Sequence, residues 1–204
     1  MKQIILQKDE RRLIGVLLDV DSKRIDVSLA GANSEIEIVG LVLGKDVQDK
    51  SMEVYITHAA INTKSKVNVR AVLRNKSTFA FRGNVKIEKG AKGADAYLRS
   101  DALLFDDAKM GDDTPALEIL ERDVKAGHAA TVGKVDEVML FYLMSRGLTR
   151  KQSEKMLIEG FVKPMLEKIR KPARSYFDAS GSVRTRVKER SLAGDNGGKL
   201  IVKN

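Results

Sequence analysis

The chain has 204 residues, a net charge of +9 at neutral pH and 43% apolar residues, so a hydrophobic core can form. It contains no cysteine, which excludes disulfides, thiolate metal ligands and cysteine nucleophiles from this chain. The apolar run near the N-terminus is too short for a signal peptide or a membrane span, so we expect a cytoplasmic protein with no membrane partner.

Short alternations of apolar and polar residues fill the first half of the chain, from Lys2 to about Phe105. Such alternation places one set of side chains on one face of a strand. Each predicted strand has about four to six residues, and turn segments such as Gly31–Ser34 separate the strands. The spacing is irregular and no strict repeat is visible. The pattern therefore predicts a β-rich body over residues 1–122 that is a sandwich, a barrel or a β-solenoid.

A helix is predicted after the strands. One of its faces is apolar, with side chains at helical spacing: Val135, Val138, Met139, Tyr142 and Leu143. Leu140 and Phe141 widen the apolar surface beyond a single stripe, so this helix is either deeply buried or covered by a partner. Gly147 supplies the left-handed position that ends it.

A second helix follows directly, with Thr149 and Gln152 as a capping box. Pro164 has no backbone N–H and is expected to bend or break this helix near Gly160. The result is a helical hairpin over about 136–170, which forms a second unit, 123–170, with the preceding junction segment. The tail, 171–204, holds eight lysines and arginines against three acids and is expected to be mobile, with one further strand at 200–202.

Few residues indicate catalysis. No phosphate-binding loop occurs, and the acids Asp106, Asp107, Asp112 and Asp113 do not have the spacing of a calcium loop. Of the two histidines, His58 is expected to be structural. His128 is a candidate iron ligand because a neutral imidazole binds iron; alternatively, it caps the junction by hydrogen bonding.

Several segments, in this order, resemble the SufB/SufD family, the scaffold subunits of the SUF system of iron–sulfur cluster assembly. They are His58–Ser65, Arg70–Ser77, Phe81–Ile87, Leu103–Leu104, Pro115–Ile119, Asp123–Gly133 and Phe141–Gly147. The clear resemblance runs from about Tyr55 to Ile169. The first 50 residues match only in their strand-like pattern, so the chain looks like a shortened member.

The resemblance implies a right-handed parallel β-helix that ends in a helical region. It also implies pairing with a SufB/SufD-type scaffold or a second copy, and docking of a SufC-type ABC ATPase on the hairpin. The residues expected at that docking surface are Val138, Leu140, Phe141, Leu143, Met144, Arg146 and Phe161.

Two departures from the family pattern bear on cluster chemistry. Ala126 stands where members of the SufD type usually have cysteine, and Ser100 stands where members of the SufB type have one. Serine is a poor ligand for soft metals and cannot form a persulfide. The expectation is therefore a non-enzymatic scaffold or accessory subunit with no cofactor of its own. An iron–sulfur cluster would be transient and shared with a partner, with His128 as this chain's ligand.

The main alternative is a nucleic-acid-binding protein. The stretch 141–162 superficially resembles a helix–turn–helix, with Arg150, Lys151 and Lys155 opening the second helix, and the basic tail would add phosphate contacts. The unusually apolar first helix argues against this alternative, so nucleic acid is not the expected partner.

Overall fold

The computed structural model describes residues 3–170 and 199–203, so most of the basic tail lies outside the described residues. Ten strands come first: β1 Ile4–Leu6, β2 Arg11–Leu18, β3 Ser22–Leu29, β4 Glu35–Gly44, β5 Asp49–His58, β6 Lys64–Leu73, β7 Thr78–Ile87, β8 Asp95–Leu104, β9 Lys109–Ile119 and β10 Lys125–Lys134. Two helices follow, α1 Glu137–Ser145 and α2 Arg150–Arg170, and then β11 Lys199–Lys203.

The chain is a parallel β-solenoid, and the predicted fold class is confirmed. Strands alternate between a five-stranded sheet in the order β1-β3-β5-β7-β9 and a six-stranded sheet in the order β10-β8-β6-β4-β2-β11. Neighbours within each sheet are parallel, except that β11 runs antiparallel to β2 and fulfils the prediction of a strand near residues 200–202. Because β10 belongs to the six-stranded sheet, the solenoid continues past residue 122 and the helices begin only at Glu137.

Most strands are longer than predicted, with 8 to 11 residues in β2 to β10. The reason is visible in β4, where alternation ends at Val39 and five consecutive residues are buried. Val39 and Leu41 point away from the solenoid interior but lie beneath α2. Strands covered on both faces lose the period-two pattern, so their ends cannot be located from alternation.

The core consists of inward-facing side chains stacked in register from one turn of the solenoid to the next. Ile38 lies against Val67, and Val67 against Leu98; all three are fully buried. Burying such a side chain stabilises the fold by about 1.5–3 kcal/mol. Phe79 and Phe81 are the largest fully buried side chains. Regular stacking of mostly aliphatic groups explains how a chain with 5% aromatic residues builds a core.

The hairpin forms with both predicted caps, at Gly147 and at Thr149, and with a further N-cap at Asp136 that was not predicted. The Asp136 carboxylate accepts hydrogen bonds from the backbone N–H groups of Val138 (2.8 Å) and Met139 (3.2 Å). Gly147 ends α1 with φ +92°, and its N–H donates to the Met144 carbonyl at 3.0 Å. The backbone N–H of Thr149 donates to the Gln152 side chain at 2.8 Å, which confirms the capping box.

Helix α2 continues through Pro164, so the predicted break near Gly160 was wrong. Val162, Met165 and Ile169 are buried against the outer face of the six-stranded sheet, on both sides of the proline. This packing keeps the helix continuous across a position that lacks one backbone hydrogen bond, because the sheet contacts outweigh the loss.

Candidate partner-binding surfaces

Two arginines anchor the hairpin to the six-stranded sheet: Arg70 on β6, and Arg74 directly after β6. Arg70 stacks on the ring of Phe161, 4.9 Å from the centroid, and donates a hydrogen bond to the Phe161 carbonyl. Arg74 pairs with Glu154 of α2. These contacts fix α2, and therefore α1, relative to the solenoid. Phe161, predicted at the docking surface, is partly buried and serves this anchor instead.

Helix α1 exposes a broad apolar surface, here called the α1 surface. Its members are Val138, Met139, Phe141, Tyr142 and Met144. Val138 and Phe141 are 76% and 73% exposed, which is unusual for such side chains. Only Leu140 of α1 is buried, at 1% exposure, so it packs within the chain rather than on the predicted docking surface. Contiguous exposed apolar patches mark interaction sites.

Two further predicted docking residues lie at the C-terminal part of α1. Arg146 is exposed, and its guanidinium lies 5.2 Å from the ring centroid of Tyr142. Leu143 is partly buried. The α1 surface thus has one cationic group at its edge and an otherwise apolar centre, the usual composition of a protein-binding surface with a polar rim.

Two of the three basic residues that open α2, Arg150 and Lys155, form ion pairs within the chain. Arg150 pairs with Glu137 of α1 at 2.9 Å and with Glu154 at 3.1 Å. Lys155 pairs with Glu159 at 3.7 Å. These carboxylates offset the charge that a nucleic-acid-binding helix would direct at phosphates, so the structure gives no specific support to the helix–turn–helix alternative.

The solenoid end formed by β9 and β10 is here called the open end. Within the described residues, β9 is hydrogen-bonded only to β7, and β10 only to β8. Two long strands therefore present unpaired backbone N–H and C=O groups side by side. Val132 and Ile119 are exposed on these strands, at 48% and 44%. An exposed long strand edge is a template for pairing with another chain.

His128 lies on β10 at the open end. It is in register with the buried Leu98 of β8, so it occupies an inward-facing position. It is nevertheless exposed, because among residues 3–170 and 199–203 no strand lies beyond β10 in this sheet. Ser100, the other predicted position of interest, is 1% exposed and lies in register with Ala130. Ala126 lies in register with Ala96, also facing inward. The structure thus gathers Ala126, His128 and Ser100 at the interior side of the open end.

Asp113, considered above only as one of four acids that lack calcium-loop spacing, also lies at this end. A register shift in β9 turns it inward, in register with the buried Phe81. Both carboxylate oxygens are shielded from solvent and have no hydrogen-bond partner. Burial raises the pKa of Asp113, the nearby Ser100 hydroxyl opposes the shift, and the charges of Asp112 and Asp101 reinforce it. The period-two pattern could not reveal that Asp113 faces inward, because the extra residue of the bulge reverses the alternation of the residues that follow it.

His58 is structural, as predicted. It is fully buried at the end of β5, with Nδ1 2.8 Å from Thr63 Oγ1 and Nε2 2.8 Å from Ser65 Oγ. Thr63 Oγ1 donates to the Ala60 carbonyl at 3.1 Å, so it accepts from Nδ1–H, while Nε2 accepts from the Ser65 hydroxyl. Burial lowers the pKa of His58 to about 4, and the charge of Asp95 opposes this. The imidazole is therefore neutral at pH 7.

Residues 3–170 and 199–203 contain neither a metal-binding cluster of side chains nor a helix suited to crossing a membrane. No group of three or more histidine, cysteine, aspartate or glutamate side chains is arranged to hold a metal ion. Asp112, for example, forms an ion pair with Arg82 at 3.2 Å. No helix in this part of the chain combines the length and the hydropathy required to cross a membrane.

The sequence of this solenoid and hairpin matches the family model described as "SUF system FeS cluster assembly, SufBD core domain" over residues 18–161. The chain belongs to the SufB/SufD family. The match begins well before Tyr55, so the first turns of the solenoid carry family sequence that the resemblance noted above did not detect.

Relatives in this family include proteins named for iron–sulfur cluster assembly. The chain is 36% identical to a SufBD family protein of Mycobacterium bovis over 143 residues, which are 70% of this chain and 17% of the relative. It is 32% identical to the cluster assembly protein SufD of Bacillus subtilis over 157 residues, 76% of this chain and 36% of that protein. A Staphylococcus epidermidis SufBD family protein is 30% identical over 139 residues, 68% of this chain and 30% of the relative. The chain thus spans about a third or less of the length of these relatives.

Proposed function

We propose that this chain is a non-enzymatic scaffold subunit of iron–sulfur cluster assembly that binds a SufC-type ATPase through the α1 surface. Family membership and the names of the relatives support the assembly role. The observation that carries the docking role is the exposure of Val138 and Phe141 on a helix that is firmly anchored by its neighbour α2. A rigid apolar surface loses little conformational entropy on binding, which favours a protein partner.

The docking proposal is tested by co-purification with a SufC-type ATPase from the same organism or from a relative. Phe141→Asp places a charge in the centre of the α1 surface and should abolish the complex. Because Phe141 is 73% exposed, the variant should retain the wild-type circular dichroism spectrum and melting temperature.

Val47→Asp is the matched control. Val47 is 79% exposed in the turn between β4 and β5 and is not a member of the α1 surface, so this variant introduces the same charge and should bind like the wild type. Equal binding by Phe141→Asp and Val47→Asp would refute docking through α1. The absence of a complex with the wild-type chain would refute the choice of partner.

The scaffold is further proposed to pair through the open end with a SufB/SufD-type scaffold or a second copy. The unpaired edges of β9 and β10 support this, because backbone groups on such edges gain hydrogen bonds when another strand adds to them. Sedimentation velocity over a range of concentrations tests the pairing, and a monomer at all concentrations, with and without a longer scaffold, would refute it.

The iron–sulfur cluster enters this proposal as cargo. His128 offers one imidazole at the open end, and the chain has no thiolate, so its own residues do not suffice for a cluster. A cluster at this end would depend on thiolates of a paired scaffold. Anaerobic reconstitution should give sulfur-to-iron charge-transfer absorbance only with a cysteine-bearing partner. His128→Ala should lower it, whereas Thr131→Ala, on the outward side of the same strand, should not. Equal absorbance for both variants would exclude His128.

A further inference from the structure

The two ends of the solenoid differ in the exposure of their inward-facing side chains. At the open end, Val132 of β10 is in register with the buried Ala102 and is 48% exposed. At the opposite end, here called the closed end, Ile14 and Val16 of β2 also hold inward positions, yet they are 0% and 2% exposed. The last turn of a solenoid leaves its interior uncovered unless further chain lies beside it. The closed end must therefore be covered beyond β2.

Strand β11 is the element that lies beside β2 at the closed end. It extends the six-stranded sheet by one strand and runs antiparallel to β2. Leu200 and Val202 are in register with Val16 and Ile14, so they hold the inward positions of the added strand. Aliphatic residues thus occupy the two positions that face the interior of the solenoid, and the C-terminal segment of the chain extends the core at its N-terminal end.

The outward positions of β11 match the neighbouring helix. Ile201 is in register with Gly15 of β2, and Ile169 of α2 lies directly over that glycine: a Cβ added at Gly15 would lie 3.0 Å from Ile169 Cγ2. Glycine at this position allows the end of α2 to approach the sheet closely. The outward position of β11 nearest to Ile169 is therefore apolar, and Lys199 and Lys203 hold the outward positions on either side of it. The sequence of the segment suits both faces of the sheet at this edge.

The closed end also has features that keep sheet edges from pairing with other chains. In the five-stranded sheet, the edge strand β1 has three residues. In the six-stranded sheet, the edge strand β11 has five residues and carries a lysine at each end. Short edge strands and edge lysines both disfavour pairing with another chain. Without β11, the edge would instead be β2, with eight residues of which five are aliphatic.

We propose that β11 is a capping strand, which closes the interior of the solenoid at β2 and prevents the β2 edge from accepting a strand of another chain. A foreign strand could add to this edge only after β11 had left, because both would use the same backbone N–H and C=O groups. Once β11 is released, β2 of one copy can add to β10 of the next. Such a head-to-tail contact does not close, so uncapped chains should form longer oligomers. This inference concerns the end opposite to the open end and does not depend on the proposed pairing there.

Val202→Asp tests the cap in the full chain, because it places a carboxylate in register with the fully buried Ile14. Lys203→Asp introduces the same side chain at an outward position and is the matched control. Hydrogen exchange followed by mass spectrometry should show β2 exchanging about tenfold faster in Val202→Asp than in the wild type, since an unpaired carboxylate at an inward position favours release of β11. Exchange in β6 should be the same in all three proteins. Equal exchange of β2 in all three would overturn the cap.

A fluorescent peptide of residues 197–204 provides a second measurement. Fluorescence anisotropy should show that the peptide binds Val202→Asp, whose β2 edge is free, and that it does not bind the wild type or Lys203→Asp, whose own β11 occupies the edge. Equal binding to all three proteins, or no binding to Val202→Asp, would refute β2 as the acceptor of this strand. In sedimentation velocity, Val202→Asp should form larger species than the other two proteins as concentration rises. Identical sizes for the three proteins would refute the protective role of β11.

Discussion

Acid should destabilise this fold through one residue, His58. Its pKa in the folded chain is lowered from 6.5 to about 4, mainly by burial. The unfolded chain therefore binds a proton between these values and the folded chain does not. The contribution to stability is fully present above pH 6.5 and is lost as the pH falls toward 4. At about 1.4 kcal/mol for each pKa unit, the loss amounts to about 3 kcal/mol, a large part of the stability of an ordinary domain.

Urea unfolding followed by far-ultraviolet circular dichroism, at several pH values between 7 and 4, measures this contribution. His58→Gln is the comparison, because its amide keeps a donor and an acceptor near Thr63 and Ser65 but does not titrate. Carboxylates titrate in both proteins over this range, so the difference between their unfolding free energies isolates His58. That difference should change by about 3 kcal/mol in favour of the variant as the pH falls from 7 to 4. A difference that is constant with pH would refute the buried neutral imidazole.

Three further variants test the packing and the open end. Gly83→Ala should lower the free energy of unfolding in urea by about 1–3 kcal/mol, because the added Cβ would lie 2.3 Å from a terminal carbon of Leu98. Gly133→Ala is the control: nothing lies within 4 Å of its added Cβ, so this variant should be neutral or stabilising. Arg70→Ala should speed hydrogen exchange in α2 more than in the solenoid, and uniform exchange would contradict its anchoring role. Asp113→Asn should raise the free energy of unfolding by about 1 kcal/mol at pH 7. The gain should vanish in acid, where the wild-type carboxyl is protonated. An unchanged gain at low pH would contradict a shielded, ionised carboxylate at this position.

The helical hairpin was the part of the fold most open to prediction from residues alone. Its caps are local: Gln152 reaches Thr149 within one turn, and Gly147 adopts its left-handed conformation without any distant contact. The role of Pro164 could not be predicted in the same way. The continuity of α2 depends on packing against a sheet that is distant in sequence, and a local rule carries no information about that packing.

The solenoid repeat was present in the sequence but in the turns rather than in the strands. Asn33, Asn62 and Gly93 occupy equivalent left-handed turn positions about 30 residues apart. Asp46, Asn75 and Asp106 form a second such series, with Asn75 donating to Asp46 at 3.2 Å. Asparagine, aspartate and glycine tolerate positive φ, so their recurrence marks successive turns of one solenoid. Strand residues repeat only as interchangeable aliphatics, which hides the period.

The candidate surfaces were likewise predictable from the sequence only in part. The excess of apolar residues on α1 predicted a partner surface, and the structure exposes Phe141 while burying Leu140. Helical periodicity alone could not separate the two, because α1 is apolar on all sides. Which residue becomes buried depends on how α1 packs within the folded chain, where it contacts α2. At the open end, the orientation of Asp113 depends on a bulge that no composition or spacing rule marks.

Several unfavourable features of this chain lie where partners are proposed to bind. In the solenoid, many charges pair across neighbouring strands, turns use residues suited to positive φ, and the buried His58 is hydrogen-bonded. The α1 surface and the open end instead combine exposed apolar side chains, two unpaired strand edges and the isolated carboxylate of Asp113. Selection for stability alone would remove such features, since Asp113→Asn should stabilise the single chain. Their retention on both proposed partner surfaces is expected if the functional state is a complex.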